Sequence, residues 1–165
     1  MKATRILLVA ALLGCGEHAP TSVAPQALLV DLPGGSDAGL VGCTPGSPDF
    51  VSQTIGPLGG VVQIGPHRLS IPPGALDVPV AITAIAPADT VNRIRFEPQG
   101  LTFNRPALLT MSYANCGALT SVAPKRIAYT SDALTILEVL PSLDNLLTRT
   151  VTGPLEHFSD YAIAW

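Results

Sequence analysis

Gly59-Gly60-Val61-Val62-Gln63-Ile64-Gly65-Pro66-His67-Arg68-Leu69-Ser70-Ile71-Pro72-Pro73-Gly74 decides the fold. Two short apolar-rich runs flank a Gly-Pro pair, and the second run ends on Pro-Pro-Gly. In His67–Ile71 the apolar Leu69 and Ile71 alternate with Arg68 and Ser70. That period of two is expected of a strand with one buried and one wet face. Proline fixes φ and glycine frees it, so Gly65-Pro66 and Pro72-Pro73-Gly74 read as turns.

The same grammar continues along the chain. Further strand candidates are Val80–Ala86, Asn92–Phe96, Ala107–Tyr113, Arg126–Thr130, Leu134–Val139, Leu147–Val151 and Tyr161–Trp165. Turn signals recur about every 8–12 residues, as in sandwiches and barrels. Asp132–Val139 alone competes as a short helix, and the β-branched Thr135 and Ile136 weigh against it. Sixteen prolines and fifteen glycines disfavour long helices throughout. The expectation is an all-β, antiparallel β-sandwich over residues 51–165, with no internal repeat.

At 165 residues the chain has room for one domain with a real core. Its composition is 47% hydrophobic and 13% charged, against a usual charged fraction of about 25%. The longest uninterrupted apolar run is Ile6–Leu13, well short of the roughly 20 residues that a membrane-spanning helix needs.

The amino end has a different layout. Lys2 and Arg5 precede the apolar Ile6–Leu13, and small Gly14 precedes Cys15, which is the arrangement of a secretory signal over residues 1–14. Leu12-Leu13-Gly14-Cys15 resembles the bacterial lipobox. The resemblance implies cleavage after Gly14 and acylation of Cys15, which anchors the chain to the bilayer; each buried CH₂ of an acyl chain contributes about 0.8 kcal/mol. Gly16, in place of an acidic residue, implies the outer membrane of a Gram-negative cell. Residues 15–50 read as the lipidated cysteine and a linker, broken by Pro20, Pro25, Pro33, Pro45, Pro48 and Gly34-Gly35, with Ala27–Val30 the one apolar stretch.

Losing residues 1–14 leaves seven basic against twelve acidic side chains, which argues against nucleic-acid binding. The basic pairs Arg93/Arg95 and Lys125/Arg126 read as solvated strand edges. Cys43 and Cys116 form an even pair in an oxidising compartment and read as a disulfide, worth about 2–4 kcal/mol if unstrained. His18, His67 and His157 lack ligand spacing, so no metal or cofactor is expected.

Two blocks carry a second resemblance. Gly59-Gly60 with Leu69-Ser70-Ile71-Pro72-Pro73-Gly74-Ala75-Leu76, and Phe96-Glu97-Pro98-Gln99-Gly100-Leu101-Thr102-Phe103 with Pro106-Ala107-Leu108-Leu109, are similar to the ZU-five domain family over roughly residues 55–115. That resemblance implies a β-sandwich used for protein contacts, with no cofactor and no substrate. Gln99-Gly100 makes a tight turn that leaves Leu101 and Phe103 on one face.

Near the end stands Glu156-His157-Phe158-Ser159-Asp160-Tyr161. His-Phe-Ser resembles the self-cleavage site of some ZU-five relatives. The resemblance implies Ser159 Oγ attacking the Phe158 carbonyl through an N→O acyl shift, with His157 as base. In an unbroken strand His157 and Ser159 share a face. Burying both Phe158 and Tyr161 then requires a bulge between them. The bland alternative places Phe158 in the core at the start of the last strand.

No Gly-x-Ser-x-Gly elbow or phosphate loop is present, and Glu97, Glu138 and Glu156 stand alone. The expected function is therefore a membrane-anchored, non-enzymatic surface module in contact with an envelope or extracellular protein. Self-processing between Phe158 and Ser159 is the rival. A carbohydrate-binding sandwich is a further alternative, disfavoured by only eight aromatic residues.

Overall fold

Alternation in the sequence becomes alternation in burial. The computed structural model describes residues 39–117 and 123–165. The expected signal peptide, Cys15 and linker residues 16–38 lie outside the described residues. Eleven strands follow in order: β1 Asp49–Ile55, β2 Gly60–Ile64, β3 His67–Ile71, β4 Val80–Ala86, β5 Arg93–Glu97, β6 Thr102–Ser112, β7 Arg126–Thr130, β8 Ile136–Val139, β9 Leu143–Asn145, β10 Thr150–His157 and β11 Asp160–Ala164. In β4, Ile82, Ala84 and Ala86 are buried while the intervening residues are not.

Two antiparallel sheets pack together as a β-sandwich. One has the order β1-β4-β5-β11-β7-β8 and the other β2-β3-β6-β10-β9. Between them lies one core, including Ile64, Leu69, Ile82, Ile94, Phe96, Leu109, Met111, Ile127, Leu155 and Ile163. Neighbours in sequence often sit in opposite sheets, so the layers depend on where the chain crosses.

The β1–β2 turn shows why glycine opens the quoted stretch. Gly59 has φ 73°, and a Cβ there would stand 2.3 Å from the Ile71 carbonyl oxygen. The turn is pressed onto Pro72-Pro73, and the Gly74 N–H donates to the Pro57 carbonyl at 2.8 Å.

The expected boundary at residue 51 moves toward the amino end. Val41 is fully buried and its N–H donates to the Ile163 carbonyl at 2.8 Å. Leu40 bridges Ala164, Gly42 bridges Val91, and Cys43 bridges Cys116. These single-residue bridges use backbone groups, so they leave no side-chain period for the sequence to display.

The expected strand Leu147–Val151 is also corrected. Asn145 Oδ1 accepts the N–H groups of Leu147 and Thr148, both at 3.1 Å, and Arg149 has φ 53°. Those residues turn, and β10 runs on through Gly153 and Pro154. β9 pairs with only Thr150–Thr152 of β10, so Pro154 sits where one side of the strand has lost its partner.

Lys125 departs from the solvated edge expected of it. It is 1% exposed, with Nζ 4.6 Å from the Trp165 ring centroid and 5.7 Å from that of Tyr113. Its ammonium donates to the Ala123 carbonyl at 3.0 Å, so the buried charge is hydrogen-bonded and faces aromatic rings.

Candidate functional site

The two residues between β10 and β11 carry the chain from one sheet to the other. Phe158 and Ser159 are both buried at this crossing. Phe158 stacks on Phe96 at a 5.0 Å centroid separation and meets Phe103 edge-on at 5.0 Å. Such pairs add about 0.5–1.5 kcal/mol to their area burial. Changing sheets, together with a register shift between Leu155 and His157, buries Phe158 and Tyr161 alike.

Backbone hydrogen bonds hold both sides of the Phe158–Ser159 peptide. Phe158 N–H donates to the Leu101 carbonyl at 2.8 Å, and Gly100 N–H donates to the Phe158 carbonyl at 3.0 Å. Phe96 N–H donates to the Ser159 carbonyl at 3.1 Å. The Gln99-Gly100 turn, whose Gly100 has φ 75°, supplies one of these contacts.

His157 is half-buried beside Tyr129, whose ring it meets edge-on at 5.2 Å. Its Nδ1 lies 3.4 Å from the Phe158 carbonyl oxygen, and its own carbonyl accepts the Tyr161 hydroxyl at 2.7 Å. Burial pushes the Tyr161 hydroxyl well above its ordinary range. Among the described residues no hydrogen bond joins His157 to the Ser159 hydroxyl. The shared face expected of an unbroken strand is lost because the chain changes sheets between the two residues.

Beyond the crossing, Asp160 is buried and accepts Gln99 Nε2 at 3.1 Å. Burial raises its carboxyl above the usual range, while Gln99 and the Arg95 guanidinium act the other way. Arg95 bonds Glu97 at 3.0 Å and Asp132 at 3.2 Å. Thr130, the register partner of Asp160, buries its hydroxyl with no hydrogen-bond partner.

The opposite feature is the cysteine pair. Cys43 and Cys116, the pair that remains beside Cys15, sit at disulfide distance, S–S 2.07 Å, as expected. Thr44 N–H donates to the Asn115 carbonyl at 2.9 Å, and Asn115 Nδ2 donates back to the Thr44 carbonyl at 2.7 Å. Beside this clasp opens a cavity of about 590 Å³, lined by residues that include Pro48, Pro66, His67, Pro87, Asn92 and Asn115.

His67 was legible in the sequence only as a strand residue without ligand spacing. In the structure its Nδ1 accepts the Ser112 N–H at 3.1 Å, which places the proton on Nε2. Burial lowers its pKa to about 4, so the ring is neutral near pH 7. Asn92 Nδ2 donates to the Ser112 carbonyl at 2.8 Å, so both backbone groups of Ser112 are fixed by side chains. No group of three or more His, Cys, Asp or Glu converges on a metal position among the described residues.

Fold and site together define a disulfide-clasped antiparallel β-sandwich. A scan of protein-family models and a search of curated proteins both find no match for the chain.

Proposed function

We propose that the chain is an exported lipoprotein whose ZU-five-like β-sandwich acts as a non-enzymatic protein-interaction module at the cell envelope. The Cys43–Cys116 pair carries this reading, because disulfides persist in oxidising compartments outside the cytoplasm. A signal-like amino end and Cys15 in a lipobox context supply the anchor, with Gly16 favouring the outer membrane of a Gram-negative cell.

The protein-contact half is supported by apolar surface on the outer face of the five-stranded sheet. Register aligns Val61 with Ser70 and Ser70 with Leu108, and both apolar members are exposed. Exposed Leu58 and Pro72, Pro73 and Pro106 border them in a shallow groove. Clustered exposed apolar groups mark interaction surfaces more often than scattered ones do.

Mass spectrometry of the mature amino terminus tests the anchor. The expected product begins at a diacylated or triacylated Cys15, and globomycin or Cys15→Ala abolishes it. An unmodified cysteine, or maturation indifferent to globomycin, overturns the reading.

Self-processing has one observation in its favour: the Phe158 carbonyl oxygen receives the Gly100 N–H and lies near His157 Nδ1. A polarised carbonyl is what an attacking hydroxyl requires. Intact mass under denaturing conditions, compared with Ser159→Ala, separates the readings. A cut at Phe158–Ser159 in the parent alone establishes processing. For the carbohydrate alternative, Phe50 is the one exposed aromatic side chain among the described residues.

A further inference from the structure

Strand β1 forms one edge of the six-stranded sheet and pairs with β4 without interruption from Asp49↔Ala86 to Ile55↔Val80. Alternation determines which of its backbone groups stay free. Ile163 N–H donates to the Asn92 carbonyl, and Phe96 N–H donates to the Ser159 carbonyl. The even-numbered residues of β5 therefore face β11, and Arg95 and Glu97 face β4. Their partners Ile85 and Thr83 are committed to β5, which leaves Ile82, Ala84 and Ala86 to face β1. These meet Gln53, Val51 and Asp49. The backbone groups of Phe50, Ser52 and Thr54 consequently point away from the sheet, with the Phe50 N–H taken by Asp49 Oδ1 at 2.8 Å.

Natural sheets guard such edges with short strands, lysines, prolines or bulges. Edge strands β8 and β9 are short, and β8 also carries a register shift. β1 spans seven residues with no Lys, Arg, Pro, Gly or register shift, and Ser52, Gln53 and Thr54 are exposed. Among the described strands it is the longest edge; the remaining edge strand, β2, spans five residues and begins at Gly60.

We propose that this edge pairs with the same edge of a second copy of the chain, antiparallel about a two-fold axis through Ser52. Ser52 then faces Ser52, Val51 faces Gln53, Phe50 faces Thr54 and Asp49 faces Ile55. Ser52 N–H and carbonyl bond reciprocally across the axis, and each Thr54 N–H reaches the Phe50 carbonyl of the other copy. None of these bonds disturbs the one from Phe50 N–H to Asp49. The single charged residue of the strand meets an apolar one, so no like charges oppose each other. Phe50, 64% exposed, gains cover beside Thr54 of the second copy. The free Ser52 and Thr54 N–H groups meet the Ser52 and Phe50 carbonyls of a second copy, and this self-complementary arrangement suits a closed two-fold dimer. The pairing goes beyond the proposed function and does not depend on the anchor.

Sedimentation velocity of the full chain carrying Cys15→Ala, over a wide concentration range, tests the dimer without acyl-driven association. The parent should dimerise reversibly. Ser52→Lys sets two ammonium groups across the axis and should raise the dimer Kd about tenfold or more. Mixing Ser52→Lys with Ser52→Glu should restore association, since opposite charges then meet. Hydrogen exchange supplies a readout without substitution: the Ser52 and Thr54 amides should gain protection as concentration rises. A parent that stays monomeric, association indifferent to Ser52→Lys, or concentration-independent exchange at both amides overturns the proposal.

Discussion

His67 shows how much chemistry a single buried side chain can fix. Its pKa falls from 6.5 to about 4 because burial penalises the imidazolium, and its neutral Nδ1 accepts the Ser112 N–H. The unfolded chain therefore binds a proton that the folded chain refuses between those values. The stability is present above pH 6.5 and is lost as pH falls toward 4, by up to about 3 kcal/mol. Denaturant unfolding across that window should show the loss, and His67→Gln should flatten it; an unchanged slope in the variant refutes the assignment. Asp160 has the opposite sign. Its folded pKa is raised, mainly by burial, so its contribution is present below the ordinary carboxylate range and lost as pH rises through the folded value. Asp160→Asn, which can still accept from Gln99, should stabilise the protein at pH 7 and lose that advantage in acid. Equal or lower stability at pH 7 sinks the claim. Neither shift was legible in the sequence, because each arises from residues distant in the chain that pack around the group.

Among elements, the turns offer the sharpest comparison. Gly59 and Gly100 have φ of 73° and 75°, yet their surroundings differ. A Cβ at Gly59 collides with Ile71 and Pro72 backbone, whereas one at Gly100 meets nothing within 4 Å. Gly100→Ala should cost about 1 kcal/mol, the ordinary left-handed penalty. Gly59→Ala should cost more than about 3 kcal/mol, since the clash adds to that penalty. Chemical denaturation of the two variants decides it, and similar losses would contradict the reading. The strands β3, β4 and β7 begin and end where their alternation and flanking turns indicate. The strand expected over Leu147–Val151 overlaps only the start of β10, and β9 was not expected, because the Asn145 side chain and the left-handed Arg149 make a turn out of unremarkable residues. In the candidate site the residues His157, Phe158 and Ser159 were legible, but their mutual placement was not. Periodicity carries no sign that a chain changes sheets midway through a motif.

At the scale of the whole molecule, the cysteine pair closes the loop between residues 43 and 116, a separation of 73 residues. Constraint of the unfolded chain gives it a contribution of about 2–4 kcal/mol. Reduction, or Cys43→Ser with Cys116→Ser, should lower stability by that amount in denaturant unfolding. No change on reduction would mean that the backbone bridges around residues 40–44 hold this end unaided. The pairing itself was legible once Cys15 was set aside for the anchor, which leaves Cys43 and Cys116 as a pair, but the docking of residues 39–44 onto the sheets was not.

The clasp also dictates how the sandwich responds to a mechanical pull. Once the backbone pairing of Leu40 and Val41 with β11 has given way, tension applied ahead of Cys43 enters through the cross-link at Cys116, just beyond β6, the middle strand of its five-stranded sheet. There β3 and β10 flank β6 on both sides, so the load is spread across a sheet centre. With the sulfurs reduced, the same load runs along residues 44–48 to the rim strand β1, which peels one hydrogen-bonded pair at a time.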